Sequence, residues 1–522
     1  MTPATPKLPR LGSWLCGRWH QGDGDGTLLI DPATEQPLAT ASTAGLDLGA
    51  ALAHAREVGG PALRALSYPQ RAALLKAMSA AIHEHREELI DIGMANAGNT
   101  RGDAKFDIDG ATGTLAAYAA FGADLPDTPW LPDGNGLQLG RTSRFHGQHA
   151  WFPRRGVAVH INAFNFPAWG MMEKAACALL AGVPVLEKPG TATAMLAERI
   201  ARILVDGQVL PEGAFQFMAG SAGDLLDHVG AQDSVAFTGS SGTARRLAVH
   251  AAFVERGARL NVEADSLNAV VLGPDVDADS EAFDVFVRDA VREITQKTGQ
   301  KCTATRRILV PAALLDAVCE ALAAGFEGTK VGAPTEDGVR MGPLTNIDQL
   351  DTVAAGIDRL AGAADIVTGG AARLRETGCF LAPTLLRAQE AAADVFHDEE
   401  VFGPVASVLP YDGEVATAAA LVAKGRGGLV ASIYSDDRAW PVELAAELAP
   451  WSGRVYLSGS KLADHGTGPG IVLPGMIHGG PGRAGGGEEL GGLRGLAFYQ
   501  QRTAIQGYKS VVESAFGGAG PT

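Results

Sequence analysis

From Gly156 onward the chain alternates short, wholly apolar runs with helical stretches, and that rhythm constrains the fold more than any other feature. VAVHI (157–161), VPVLEK (183–188), FQFMAG (215–220) and SVAFTG (234–239) read as strands. Residues 169–180, 193–205 and 241–250 read as helices between them, and LNVEA and NAVVLG complete the run. Strands apolar on both faces must be covered on both faces, so the pattern predicts α/β architecture with a doubly wound parallel sheet. Ligands of such sheets lie beyond the carboxyl ends of the strands. The loops of interest are therefore Asn162–Trp169, Lys188–Thr193, Gly220–Asp224, Gly239–Thr243 and Glu263–Asn268.

At 522 residues the chain is too long for one ordinary core. Residues 11–45 hold short β-like runs, and GDGDG (22–26) lacks the remaining ligands of a calcium loop, so it reads as a hairpin turn. From Asp47 to about Ala120 the pattern is helical, with Leu74, Met78, Ile82 and Leu89 at helix spacing. Pro126, Pro129 and Pro132 mark a connector, after which Arg141–Phe152 reads as strand. A second α/β section covers about 281–470. The Gly-rich tract 479–492 reads as a linker or a set of turns. It leads into LAFYQQRTAI, a strand that could pair with Arg141–Phe152 or with a partner subunit.

Acids outnumber bases, 59 to 43, giving a net charge of −16. That argues against nucleic acid or an anionic membrane as the main partner. No run of about 18 apolar residues is present, so no membrane span is expected. The N-terminus has no apolar signal segment. Cys16, Cys177, Cys302, Cys319 and Cys379 are odd in number and scattered, without a CxxC pair. They read as reduced thiols of a cytoplasmic protein, with no metal site.

Cys302 stands out among them. It sits in a Gly/Thr-flanked loop, QKTGQKCTATRR (296–307), between a helix over 283–296 and a strand over 307–310. Its neighbours Gln300, Lys301 and Thr303 do not resemble core, and Lys301 and Arg306 could favour the thiolate that attacks an electrophile. Four further features sit at strand ends. Asn165 in NAFNFP can donate to a developing oxyanion, or simply form a turn. Lys188 in LEKPGT can reach a ribose hydroxyl or phosphate, or lie solvated. FTGSSG (237–242) places Gly239 and Ser240 between strand and helix, a weak phosphate-site signal by itself. Glu263 ends an apolar strand, where desolvation is expected to raise its pKa toward that of a useful base.

Each signal is weak alone. The ordered set NFP, KP, FTGS, strand-end Glu, GQKC and EEVFGP (399–404) resembles the aldehyde dehydrogenase superfamily over about residues 10–510. The resemblance implies Cys302 as nucleophile, Glu263 as general base and Asn165 as oxyanion amide. It implies cofactor contacts from Lys188, Thr191, Gly239, Ser240, Glu400 and Phe402. It also implies a dinucleotide-binding domain over 8–135 and 156–272, and a catalytic domain over 273–475. Strands within 136–155 and 485–512 would serve oligomerisation, in a homodimer or homotetramer. Many NAD-using members carry a Glu at the place of Thr191. A neutral hydroxyl there removes repulsion of a 2′-phosphate, which favours NADP, with NAD possible. VHINAFNFPAWGMMEKAACALLAG, VEADSLN and IHGGPGRAGGGEELGGL resemble one branch acting on CoA-linked semialdehydes in aerobic breakdown of benzoate or phenylacetate. In the phenylacetate relatives a hydratase follows the dehydrogenase, and its absence favours the stand-alone benzoate type. In members that acylate CoA the Glu is commonly absent, so Glu263 implies hydrolysis to the free acid. Arg483, Arg494 and Lys461 are candidates for the CoA phosphates, or ordinary surface cations. Within the same family the alternative is a general aliphatic aldehyde dehydrogenase without the CoA handle; from another class comes a cofactor-free cysteine hydrolase, for which the sequence lacks a histidine in a paired motif. A structural protein that kept only the fold is a further alternative.

Overall fold

The computed structural model describes residues 8–517. Its first large sheet runs Arg259–Glu263, Ser234–Thr238, Ala158–Ile161, Val185–Lys188, Phe215–Phe217, Ser13–Leu15, Arg18–His20. The first five strands are parallel and the last two are antiparallel additions. Register aligns Thr238 with Glu263 and Ile161 with Lys188, so the polar strand ends emerge along one rim. The apolar runs predicted this burial: Ala158, Val159, Val185, Leu186 and Val235 are inaccessible to solvent.

A second sheet runs Ala364–Thr368, Thr384–Ala388, Val405–Tyr411, Arg307–Pro311, Ala269–Leu272, Gly428–Tyr434, Ser452–Ser458. Only its first pair is antiparallel. The strand Ala269–Leu272, expected to finish the first sheet within 156–272, instead lies inside the second, between Arg307–Pro311 and Gly428–Tyr434. An apolar strand buried on both faces has the same sequence pattern in either sheet, so periodicity could not assign it.

Three antiparallel strands, Leu131–Gln138, Phe145–Pro153 and Gln500–Tyr508, form a separate sheet. Gln500 pairs with Pro153 and Tyr508 with Phe145, the pairing foreseen for the late strand. Leu131–Gln138 was read as part of a connector. Its Pro132, Gly134 and Gly136 hide a strand that carries a register shift between Asp133 and Leu137. GDGDG does not close a hairpin, since the strands on either side of it belong to different sheets. Among the described residues no helix is long and apolar enough to cross a membrane.

The helix Trp169–Ala181 ties the first sheet to the site. It is apolar nearly all round and nearly wholly buried, as a helix without a polar face must be. Gly182 ends it in the left-handed conformation. Its N-terminal amides at Ala168 and Trp169 are taken by the buried Asp107 carboxylate, at 3.3 and 2.8 Å. Asp107 belongs to the helix Arg101–Ala123, which also packs Gly110 against the Trp169 ring. A Cβ at Gly110 would lie 2.2 Å from that ring. Alanine gains about 1 kcal/mol over glycine within a helix, but overpacking costs about 1–3 kcal/mol. Gly110→Ala is therefore expected to lower the denaturant midpoint; a midpoint equal to or above wild type would show that the ring yields freely.

Candidate active site

The base and the nucleophile of the expected set meet because of a short crossing. Glu263 ends a strand of the first sheet, and residues 264–268 carry the chain to Ala269 in the second. Asn268 closes that crossing with its side chain. Its Nδ2 donates to the carbonyls of Cys302 and Ala304, at 2.7 and 2.9 Å. Its Oδ1 accepts from the Val430 amide and the Ser266 hydroxyl, at 3.0 and 2.7 Å. The Cys302 loop is fixed from its other end too. Lys297, Thr298 and Gly299 all have left-handed φ values, 52°, 56° and 65°. Asp103 accepts the Lys297 amide at 3.1 Å, and the Thr298 hydroxyl donates to the Gly342 carbonyl at 3.0 Å. A Cβ at Gly299 would lie 2.2 Å from the Gly403 carbonyl oxygen, so the loop packs directly on EEVFGP.

Phe106, Asn165, Phe166, Trp169, Glu263, Cys302 and His478 line one narrow cavity. The Asn165 turn is seated from below. Asn162 Nδ2 donates to buried Glu187 at 3.0 Å, and Glu187 contacts His160 Nδ1 at 2.6 Å. Within the cavity His478 Nε2 lies 3.2 Å from Glu263 Oε2 and 3.8 Å from Cys302 Sγ. Polar atoms of these three side chains all fall within 4.8 Å of one another.

The electrostatics differ from expectation in two respects. Burial alone would raise Glu263, but the His478 imidazole, helped by Lys174, holds it down to about 2. Desolvation was the foreseen influence, and the tertiary partner overrides it. The Cys302 thiol is pushed well up, by burial first and then by the neighbouring Glu263, Glu173 and Glu400 carboxylates. Lys301 and Arg306 do not offset this. Lys301 Nζ pairs with Glu293 and Gln296, at 2.5 and 2.9 Å. Arg306 donates to the carbonyls of Gly403, Gly299 and Lys301. Gln300, Lys301 and Thr303 are buried, contrary to their polar appearance, because the loop is wedged between the two sheets.

The remaining expected residues do not line this cavity. Lys188 follows its strand at the shared rim, and its Nζ touches only the Pro189 carbonyl, at 3.0 Å. Burial lowers it to about 8. Gly190 lets this turn lie against NAFNFP, since a Cβ would come 2.7 Å from Phe164 Cα. Thr191 opens the short helical turn that follows. Gly239 and Ser240 precede the helix Ser241–Ala248, which Ser240 caps by accepting the Thr243 amide. That helix borders a cleft with Arg245, Asp265, Arg426 and Arg483. Phe402 meets Phe164 edge-on at 6.0 Å, joining EEVFGP to the Asn165 turn. Glu400 is half-buried beside them, and burial pushes it up to about 7 against the pull of Arg306. A cation without a carboxylate partner, a capped helix start and a protonatable acid fit a ligand bearing hydroxyls and phosphate.

Sequence reasoning missed three things here. His478 carries no local signal, because its hairpin partner lies beyond a glycine tract that reads as a linker. Ile477–Gly479 in fact pairs with Glu488–Leu490. Asn268 lies in VEADSLN, but its clamp depends on a loop and a strand distant in sequence. Glu173, Lys174 and Glu489 form a buried cluster, with Lys174 Nζ 3.2 Å from Glu173 and 3.0 Å from Glu489. Two of the three candidate phosphate contacts are otherwise engaged. Arg483 donates to the carbonyls of His397 and Asp398, Arg494 pairs with Glu488, and Lys461 is exposed. Replacing Asn268 by Ala leaves two loop carbonyls and one strand amide without partners. A loss of about 2–4 kcal/mol is expected, with faster alkylation of Cys302 as the loop opens. An unchanged denaturant midpoint would show that the clamp contributes little.

The profile described as "Aldehyde dehydrogenase family" matches residues 19–505. The chain is 45% identical over 479 residues to the 3,4-dehydroadipyl-CoA semialdehyde dehydrogenase of Aromatoleum evansii, covering 90% of this chain and 93% of that one. It is 28% identical to a non-phosphorylating aspartate-semialdehyde dehydrogenase of Halomonas elongata, covering 92% and 93%. Among solved structures, betaine aldehyde dehydrogenase of Staphylococcus aureus in complex with NAD+ superposes with a TM-score of 0.84 at 22% identity, covering 95% of each chain. A 3,6-anhydro-L-galactose dehydrogenase bound to NADP gives 0.84 at 21% identity, covering 95% and 100%. Two facing α/β sheets with a cysteine and a carboxylate at their junction, a family profile over nearly the whole chain and a full-length relative at 45% identity lead to one conclusion: the chain belongs to the aldehyde dehydrogenase family, and is an enzyme of that kind.

Proposed function

We propose that the protein oxidises a CoA-linked semialdehyde, 3,4-dehydroadipyl-CoA semialdehyde, to the free carboxylic acid with NADP, in aerobic benzoate degradation. The observation that carries this reading is the 45% identity over 90% of the chain to the Aromatoleum evansii enzyme. Residues 8–135 and 156–272, less the strand at 269–272, would hold the dinucleotide. Residues 273–475 would carry the nucleophile. Lys188, Thr191, Gly239, Ser240, Glu400 and Phe402 would hold the cofactor, which supplies a hydride acceptor when bound. The exposed edge strand Gln500–Tyr508 supports pairing into a homodimer or homotetramer. Five free cysteines support a cytoplasmic location.

The chain's own residues then act in order. Glu263, held ionised, accepts the Cys302 thiol proton as sulfur adds to the aldehyde carbon. Asn165, on the cavity wall, would donate its amide to the resulting oxyanion. Once the substrate is a thioester and Glu263 has passed the thiol proton to solvent, Glu263 draws a proton from water and the acid is released. A hydrolytic ending is favoured over transfer to CoA because Glu263 lines the cavity beside Cys302.

His478 beside Cys302 supplies the histidine that a cofactor-free cysteine hydrolase lacked at the level of sequence. One assay separates the two readings. Purified protein is given NADP or NAD, with simple aliphatic aldehydes and with the CoA-linked semialdehyde, and nicotinamide reduction is followed by absorbance. Turnover is expected with the CoA thioester and NADP, and none with Cys302→Ala. Glu263→Gln is expected to slow steady-state turnover by roughly 10²–10⁴-fold. Efficient use of plain aldehydes would remove the substrate assignment, and no reduction with any aldehyde would return the reading to hydrolase. A separate variant, Thr191→Glu, places a carboxylate beside the expected 2′-phosphate. Its KM for NADP should rise at least about tenfold, while that for NAD changes little; equal effects on both would overturn the NADP assignment.

A further inference from the structure

The His478 imidazole occupies the point where the buried groups of the site converge. It is held there by backbone. His478 lies opposite Glu489 in the hairpin of Ile477–Gly479 with Glu488–Leu490. A Cβ at Gly479 would lie 2.1 Å from the Gly487 carbonyl oxygen, so this hairpin is closely pressed. The ring is 3% exposed and Glu263 equally so. Nδ1 of His478 and Oε1 of Glu263 have no hydrogen-bond partner among the described residues. Nε2 is therefore the imidazole atom that serves the pair. Glu263 raises the pKa of the ring against the lowering by burial, so the proton that Nε2 donates to the carboxylate belongs to an imidazole that favours its charged form.

The other charges facing this pair are already committed. Lys174 pairs with Glu173 and Glu489. Arg454 donates to the carbonyls of Ile471 and Pro469. Cys302 is the remaining neighbour, and its sulfur can offer Glu263 a proton but no stabilising charge. A carboxylate taken from water without a hydrogen-bonded partner takes up a proton instead.

We propose that His478 is a positioning residue for thioester hydrolysis: its Nε2–H keeps Glu263 ionised and turned toward Cys302 in a pocket too dry to hold a lone carboxylate. The inference deepens the reading above and rests on it. The step is balanced as follows. Glu263 accepts one proton from water while the water oxygen bonds to the acyl carbon. The C–S bond then breaks and the acid departs. Cys302 leaves as a thiolate and recovers the proton from Glu263.

The test uses hydrolysis of 4-nitrophenyl acetate by the full chain, which needs neither nicotinamide nor a CoA substrate. Its outcome is thus independent of whether the semialdehyde is the substrate. Two variants are compared: His478→Phe keeps a ring without a donor, and His478→Gln keeps an N–H. With wild type, the ester acylates Cys302 and steady hydrolysis persists to acid pH, because a base held low stays ionised there. With His478→Phe the acylation burst is retained, deacylation slows about a hundredfold, and the acid limb moves up by about one pH unit or more. His478→Gln recovers most of the rate and of the limb. The proposal is overturned if the acid limbs of His478→Phe and wild type coincide, or if the folded Gln variant is as slow as Phe. A second measurement stands apart from the histidine variants and from the ester. The infrared difference between wild type and Glu263→Gln at pH 7 should show an ionised carboxylate band; a protonated carboxyl band overturns the proposal.

Discussion

The Asn268 side chain is the constraint on which the rest of the site depends. It sits where the chain leaves the first sheet for the second, and it satisfies four polar groups from three segments. The carbonyls of Cys302 and Ala304 face inward at the sheet junction, where no water could easily replace an amide donor. Because residues 264–268 are so short a bridge, Glu263 and the Cys302 loop cannot drift apart without breaking this clamp. Base and nucleophile are thus neighbours by connectivity as well as by packing.

Around that junction the protein buries an unusual amount of charge. The helix Trp169–Ala181 is apolar except at Glu173 and Lys174, and it brings both into the interior. They are tolerable there because Glu489 completes the set and because His478 meets Glu263. The hairpin of Ile477–Gly479 with Glu488–Leu490 supplies both partners from one late segment. The glycine tract around it has a physical purpose: backbone approaches such as Gly453 to the Gly479 carbonyl leave no room for side chains. A stretch that reads as flexible is among the most closely packed parts of the site.

The legibility of the site in sequence follows from the range of the forces involved. Strand ends at Lys188, Thr238 and Glu263 were visible because burial on both faces imposes largely apolar runs that stop at the rim, although His160, Glu187 and Asn261 are polar side chains buried within them. The helix before Cys302, Glu281–Thr295, was visible from its periodicity. The environment of Cys302 was not. Its polar neighbours suggested exposure, yet Gln300 and Arg306 meet partners from distant segments and Lys301 turns back onto buried Glu293 of the preceding helix. Leu131–Gln138 was hidden by its proline and glycines, and Ala269–Leu272 by the indifference of an apolar pattern to which sheet contains it.

By itself the sequence determined the α/β rhythm, the rim of strand-end loops, and the candidates for nucleophile and carboxylate, because these depend on local burial patterns and on motifs a few residues long. Tertiary structure alone decided the state of that carboxylate. Glu263 reads as a base raised by desolvation until His478, 215 residues later in the chain, is seen 3.2 Å from it. Burial is a property a strand can announce, but a charge partner is a property of whichever distant side chain the fold delivers, and here the attraction and hydrogen bond of His478, with the charge of Lys174, together outweigh a desolvation larger than any one of them.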